Sequence, residues 1–184
     1  MSDYDEMIRS ALACLPESMA QRLGEISYTL FESEEEDVAS RWRAESGAIH
    51  VELNISDVSP HDCALELLTC LGQALWESAG NAERRSWLHL LQQEMEAGVE
   101  GEIDEAAIDE KRQVLSSPVL AASPRRLEQY ALASFAGTAA EYVHAFWHDV
   151  EIREGPDYLA AEVVRQRFDW MRDRFPEASK KAAS

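Results

Sequence analysis

Apolar positions recur along the chain first at helical spacing, then at every second residue, then at helical spacing again. Residues 3–14 carry acids in the opening turn with Met7, Ile8, Leu12 and Leu15 behind them, which predicts a short amphipathic helix whose N-terminal dipole is compensated. Pro16 punctuates it, and a second short turn follows through Leu23. From Ile26 the period becomes two: Ile26, Tyr28 and Leu30 alternate with Ser27, Thr29 and Phe31, the signature of a strand, and the acid run Glu34-Glu35-Glu36-Asp37 ends it. After residues 38–45 the pair Ser46-Gly47 marks a hairpin turn. The strand beyond it has Ile49, Val51, Leu53 and Ile55 on one face and His50, Glu52 and Asn54 on the other.

The remainder reads as helix. Ser59 is a capping residue, Pro60 suits a first helical turn, and Ala64, Leu67, Leu68, Leu71, Ala74 and Leu75 form a stripe to be buried. Further helices are expected over Glu83–Ala97, Asp104–Leu115, from Ser123-Pro124 to about Val150, and over Tyr158–Phe175. The predicted architecture is α+β, with a small mixed sheet of three to four strands packed against a bundle of helices. Residues 1–176 are expected to form one domain, followed by a flexible tail over 177–184.

Charge narrows the function classes. The 184 residues hold 35 Asp and Glu against 17 Lys and Arg, a formal net charge of −18, and such a surface repels phosphate, so nucleic-acid binding through a basic face is excluded. A protein partner, basic in character, is the natural counterpart. Cys14, Cys63 and Cys70 follow neither a disulfide framework nor a zinc-knuckle spacing and read as reduced thiols of a cytoplasmic protein. The start lacks a basic and apolar leader, and no apolar run reaches the roughly 20 residues of a membrane span, so neither secretion nor membrane insertion is expected.

The most informative stretch is Glu66-Leu67-Leu68-Thr69-Cys70-Leu71-Gly72-Gln73-Ala74-Leu75. Leu67-Leu68 before it, Leu71-Gly72 within it and Ala74-Leu75 after it resemble the active-site helix of zincin metallopeptidases, in which two His flank a Glu as His-Glu-x-x-His. The preceding hairpin, Trp42 to Leu53, is similar to the one that runs into the zinc helix of small lethal-factor-like zincins, so the resemblance spans residues 25–80. It implies a zincin-like fold with an edge strand beside a substrate cleft. The chemistry departs from the family. Zinc needs two imidazoles on one helical face and a carboxylate between them as general base, whereas this chain has Thr69, Cys70 and Gln73 there. The third family ligand lies on a later helix, and its counterpart here is Ala133 or Ser134. The resemblance therefore implies a pseudo-metallopeptidase: a remnant cleft at Thr69, Cys70 and Gln73 facing substrate space, no catalytic residue, no bound metal or other cofactor, and a protein-binding or regulatory role.

Two other constellations give competing readings. Glu141, His144 and His148 stand at i, i+3 and i+7 of the long predicted helix, and imidazole with carboxylate suits zinc or iron, which would make the chain a metal-dependent enzyme. A di-iron bundle would need a second Glu-x-x-His, which does not occur. The run from Glu94 to Glu110 supplies Glu94, Glu96, Glu100, Glu102, Asp104 and Glu105 without an intervening base, an acidic docking surface for an inhibitor, immunity or nucleic-acid-mimic protein. Finally, Cys63 near a helix start and near His61 is the one thiol whose pKa the surroundings could lower.

Overall fold

The structure, a computed structural model, describes residues 2–33, 40–148 and 155–176. The acid run 34–37, Asp149 and the tail lie outside the described residues. Helix α1 (Asp3–Ala13) opens with a reciprocal cap: the Ser2 hydroxyl accepts from the Asp5 amide at 3.2 Å and the Asp5 carboxylate accepts from the Ser2 amide at 3.3 Å. Helix α2 (Glu17–Leu23) ends at Gly24, whose φ of 75° and close approach to the Gly47 carbonyl leave no room for a side chain.

Strands β1 (Glu25–Phe31), β2 (Ser40–Glu45) and β3 (Ala48–Asn54) form one sheet in the order β1-β3-β2, with β1 parallel and β2 antiparallel to β3. Ser46 and Gly47 both take positive φ, 51° and 83°, the turn whose twist suits a two-residue hairpin. β3 is paired on both edges, and its inward residues Ile49, Val51 and Leu53 are buried in one core with the helices that cover this face. Its outer face is polar, where Glu52 pairs with Arg41 and Arg43. The expected small mixed sheet is therefore present, with β2 as an edge.

Helix α3 (Pro60–Glu77) is capped by the Ser59 hydroxyl on the Asp62 amide at 3.1 Å and packs on β3 and β2 through its apolar stripe. Then follow α4 (Asn81–Glu96), α5 (Glu105–Leu115), the four-residue α6 (Pro118–Ala121), α7 (Pro124–His144) and α8 (Ala161–Arg174). Two expected helices are shorter than the pattern suggested. Helix α7 stops at His144 rather than near Val150: the Trp147 and His148 amides both turn onto the His144 carbonyl at 2.9 Å, which winds the chain out of the helical register. Helix α8 starts at Ala161 because Tyr158 is held in a bridge to Glu102, with the Leu159 amide on the Glu102 carbonyl at 3.1 Å.

Two features hold the helices together. Gly72 of α3 faces Ala136 of α7 so closely that a Cβ on it would lie 2.7 Å from the Ala136 carbonyl oxygen and 2.8 Å from its Cα. Beside this crossing Trp76, Trp87, Phe135 and Trp170 pack edge to face or tilted at 5.0–6.0 Å. The second feature is ionic. Arg167 of α8 is fully buried and donates to both Glu94 oxygens at 3.0 and 2.6 Å and both Glu102 oxygens at 2.8 and 2.7 Å. Lys111 of α5, also buried, stands 3.7 Å from Glu102, and Tyr130 donates to the same carboxylate. Burial alone would raise the Glu102 carboxyl, but the Arg167 charge and hydrogen bonds outweigh it and hold it below its ordinary value. Helices α4, α7 and α8 and the loop before α5 are thus tied to one guanidinium, and α5 joins them through Lys111 and Glu102.

Three outcomes follow from this packing. Gly72→Ala would gain about 1 kcal/mol of helix propensity on an open helix. Here its methyl meets backbone, and overpacking of about 1–3 kcal/mol outweighs the gain; the urea midpoint should fall, and an unchanged midpoint would show that α3 and α7 separate freely. Arg167→Met strands two buried carboxylates and should cost about 3–5 kcal/mol in the same assay. Since the folded pKa of Glu102 is depressed, the unfolded chain takes up the proton first. Stability from this group is complete above the ordinary value of 4.5 and drains as pH falls below it. A midpoint that stays constant down to about pH 3 would contradict this linkage.

Candidate functional site

The close crossing of α3 and α7 leaves a groove above it, walled on the third side by α5. Two adjoining depressions of about 450 and 460 Å³ share Thr69, Gln73, Asp104 and Ala106 and make it continuous. One end reaches Gln129 and Ala133 of α7, and the other reaches Asp62 of α3 and Glu141 of α7. Thr69 and Gln73 stand one turn apart on α3, so both look the same way. Ala133, on α7, faces them across the groove, whereas Ser134 points into the core, where its hydroxyl accepts from Arg167 at 2.9 Å. Of the two counterparts considered for the third ligand, Ala133 is the groove residue.

Cys70 does not line the groove, contrary to the expectation that it faces substrate space. It lies one position on from Thr69, which turns it by about 100° towards the sheet. There it is 2% exposed and donates to the Ser40 hydroxyl at 3.2 Å. Burial pushes its thiol up to about 11, the Glu66 charge adding to the rise while the Ser40 hydrogen bond opposes it. Cys63 is likewise pushed up to about 11 by burial and by Glu66, so the lowered pKa considered for it is reversed. Neither thiol is a ready thiolate.

The edge strand stands directly behind the α3 wall. Trp42 donates through Nε1 to Gln73 Oε1 at 2.8 Å, and the Ser40 hydroxyl donates to Glu66 Oε1 at 2.5 Å. The register pairs Glu45 with Ala48 at the two-residue turn. Alternation from that pair points the amides of Ala44 and Trp42 away from β3. The groove is electrostatically one-sided. Asp62, Glu66, Asp104, Glu105, Asp109, Glu110 and Glu141 line it, and no Lys or Arg does so among the described residues. Chemically it offers amides, a hydroxyl, short apolar side chains and negative charge.

The six-residue acidic docking surface over 94–105 is broken up. Glu94 and Glu102 are 5% and 0% exposed and serve Arg167, so they cannot meet a partner. Asp104 caps α5 through the Ala107 amide at 2.8 Å and Glu105 accepts from Tyr158 at 2.8 Å, both on the groove wall. Glu96 and Glu100 are exposed away from it. The acids on the inward face of their segments found buried bases. The signal was present: Arg167 and Lys111 interrupt the apolar stripes Val164–Met171 and Ala107–Val114 at inward positions.

At the Asp62–Glu141 end stands a histidine cluster that the sequence showed only in part. His144 Nδ1 lies 3.0 Å from Glu141 Oε2, and its Nε2 lies 3.1 Å from His61 Nε2. His148 falls beyond the end of α7 rather than on its face, yet its ring centre is 5.5 Å from that of His61 and 5.9 Å from that of His144. Trp147 stacks on His61 at 5.3 Å. Glu141, His144 and His148 are thus neighbours, but Glu141 faces the far nitrogen of His144. Among the described residues no group of three or more His, Cys, Asp or Glu side chains is placed to hold a metal ion. His61 was missed because it lies 83 residues from His144.

No helix among the described residues is long and apolar enough to cross a membrane. No family model, curated protein or solved structure matches the chain.

Proposed function

We propose that this chain is a catalytically inactive, zincin-like domain, a pseudo-metallopeptidase, that binds a basic, extended segment of a partner protein in the α3–α5–α7 groove. The observation that carries the reading is the meeting of Thr69, Gln73 and Ala133 on one groove beside an edge strand. These are the positions at which the family resemblance expects two zinc-binding imidazoles and a third ligand, and none carries a group that holds zinc or moves a proton at neutral pH. The position expected for the general base, Cys70, is a protonated thiol turned into the core. The reading has no catalytic step and no cofactor.

What the groove can do is bind. Its acid-only walls favour Lys and Arg and disfavour phosphate, which supports a basic protein ligand over nucleic acid. The outward amides of β2, next to the wall residues Glu66 and Gln73, support pairing of an extended backbone by strand addition. The alternative of a free-standing acidic antagonist keeps the net charge of −18 and the exposed acids of the 94–110 run, but not Glu94 and Glu102, which are interior.

A fluorescent Arg/Lys-rich extended peptide, titrated with the full chain and followed by anisotropy, tests the reading. Binding should weaken with salt, and Ala106→Trp, which fills the groove from an exposed position, should weaken it at least about tenfold, near 1.4 kcal/mol. Ala44→Pro should weaken it without loss of ladder bonds between β2 and β3. Equal binding by Ala106→Trp, or peptide hydrolysis that disappears in Thr69→Ala, would overturn the proposal.

A further inference from the structure

We propose that the His61–His144 pair is a proton switch for the groove: on taking up one proton it becomes a counter-ion to Asp62 and Glu141 and so loosens the hold on a basic segment. The proposal rests on the reading of the groove as a site for such a segment. Its basis is a row of three contacts. His61 Nδ1 lies 3.6 Å from Asp62 Oδ1, His61 Nε2 lies 3.1 Å from His144 Nε2, and His144 Nδ1 lies 3.0 Å from Glu141 Oε2. An ionised carboxylate only accepts, so His144 Nδ1 carries a hydrogen, and in the neutral ring Nε2 is then the acceptor. His61 Nε2–H therefore donates to His144, an ordinary hydrogen bond that leaves neutral His61 with a bare Nδ1 towards Asp62. Three contacts are served by two hydrogens.

One further proton completes the row. It puts a hydrogen on His61 Nδ1 and keeps one hydrogen between the two Nε2 atoms, so no existing bond is lost. The bridging hydrogen rests towards His144, because the C-terminus of α7 favours a cation there and the first turn of α3 opposes one on His61. A second proton has no such place, since two Nε2–H groups cannot face each other at 3.1 Å. The two rings thus take up the first proton as one unit. Trp147, stacked on His61 at 5.3 Å, keeps that ring from turning away. Among the described residues, Asp62 and Glu66 of α3, Glu141 of α7, and Asp104 and Glu105 of α5 line this end of the groove, with no Lys or Arg. His148, exposed beyond α7, is the remaining titratable neighbour, its ring centre 5.5 Å from that of His61. Asp62 and Glu141, once turned to an imidazolium, are withdrawn from a ligand's Lys or Arg. Imidazole changes charge between about pH 5 and 8 while Lys and Arg stay charged, so the response belongs to the protein and not to the ligand. Linkage makes it reciprocal: a bound basic segment expels the proton.

The test titrates the fluorescent Arg/Lys-rich peptide with the full chain at pH 7.5 and pH 6.0, at constant ionic strength. Affinity should be about threefold to fivefold lower at pH 6.0, the effect of one partly screened charge. The double variant His61→Gln/His144→Gln keeps amides that can hydrogen-bond to each other and to the carboxylates but has no ring to titrate. Its affinity should change less than about twofold between the two pH values, whereas His148→Gln should respond as the unaltered chain does. Calorimetry of the unaltered chain at pH 6.5, in buffers of different ionisation heat, should show proton release on peptide binding. Long-range nitrogen NMR of its imidazoles should show His61 and His144 titrating together. Peptide binding that is equal at both pH values, or that falls equally in the double variant, overturns the switch and leaves the groove reading standing, as do two rings that titrate independently. No binding at pH 7.5 overturns both.

Discussion

The contact on which the arrangement depends is the approach of α3 to α7 at Gly72. A helix pair separated by ordinary side chains sits 8–10 Å apart; with no Cβ at Gly72, the Ala136 backbone enters the space a side chain would occupy. That approach does two things at once. Below the crossing it seals the core of Leu67, Leu71, Phe135 and Ala139. Above it, the diverging faces present Thr69 and Gln73 on one wall and Ala133 on the other. A bulkier residue at 72 would separate both the core and the groove walls.

The ionic centre at Arg167 secures the third wall. Helix α5 carries Asp104, Glu105 and Ala106 to the groove, and its position is held by Lys111 and by the loop residue Glu102, both on the same buried charge cluster as Arg167. Burying such a cluster is not in itself a gain in stability, since desolvation offsets much of the attraction. Its consequence is geometric: two bidentate carboxylates fix a planar guanidinium in one orientation. The loop before α5 therefore has one position relative to α8, and the groove has a defined width.

Two groups among the acids that make the chain strongly anionic have distinct roles by location. Those at inward positions neutralise buried bases, and those on the groove walls leave a negative channel that ends at the histidine cluster.

The sequence by itself determined the elements and their faces. Alternation at Ile49, Val51 and Leu53, the Ser46-Gly47 turn, the Ser59 cap with Pro60, and the stripe from Ala64 to Leu75 are local signals, because strand pleat and helix pitch translate spacing directly into facing. Where local signals ran out, the pattern misled: α7 ends six residues early through a doubled hydrogen bond on one carbonyl, and the start of α8 yields to a bridge with a residue 56 positions away. Only the tertiary structure decided which acids meet solvent, that Cys70 turns inward while Thr69 and Gln73 face the groove, and that His61 meets His144. Those outcomes are set by pairings between residues far apart in the chain, and neither charge nor periodicity in one segment carries information about the partner that the fold brings to it.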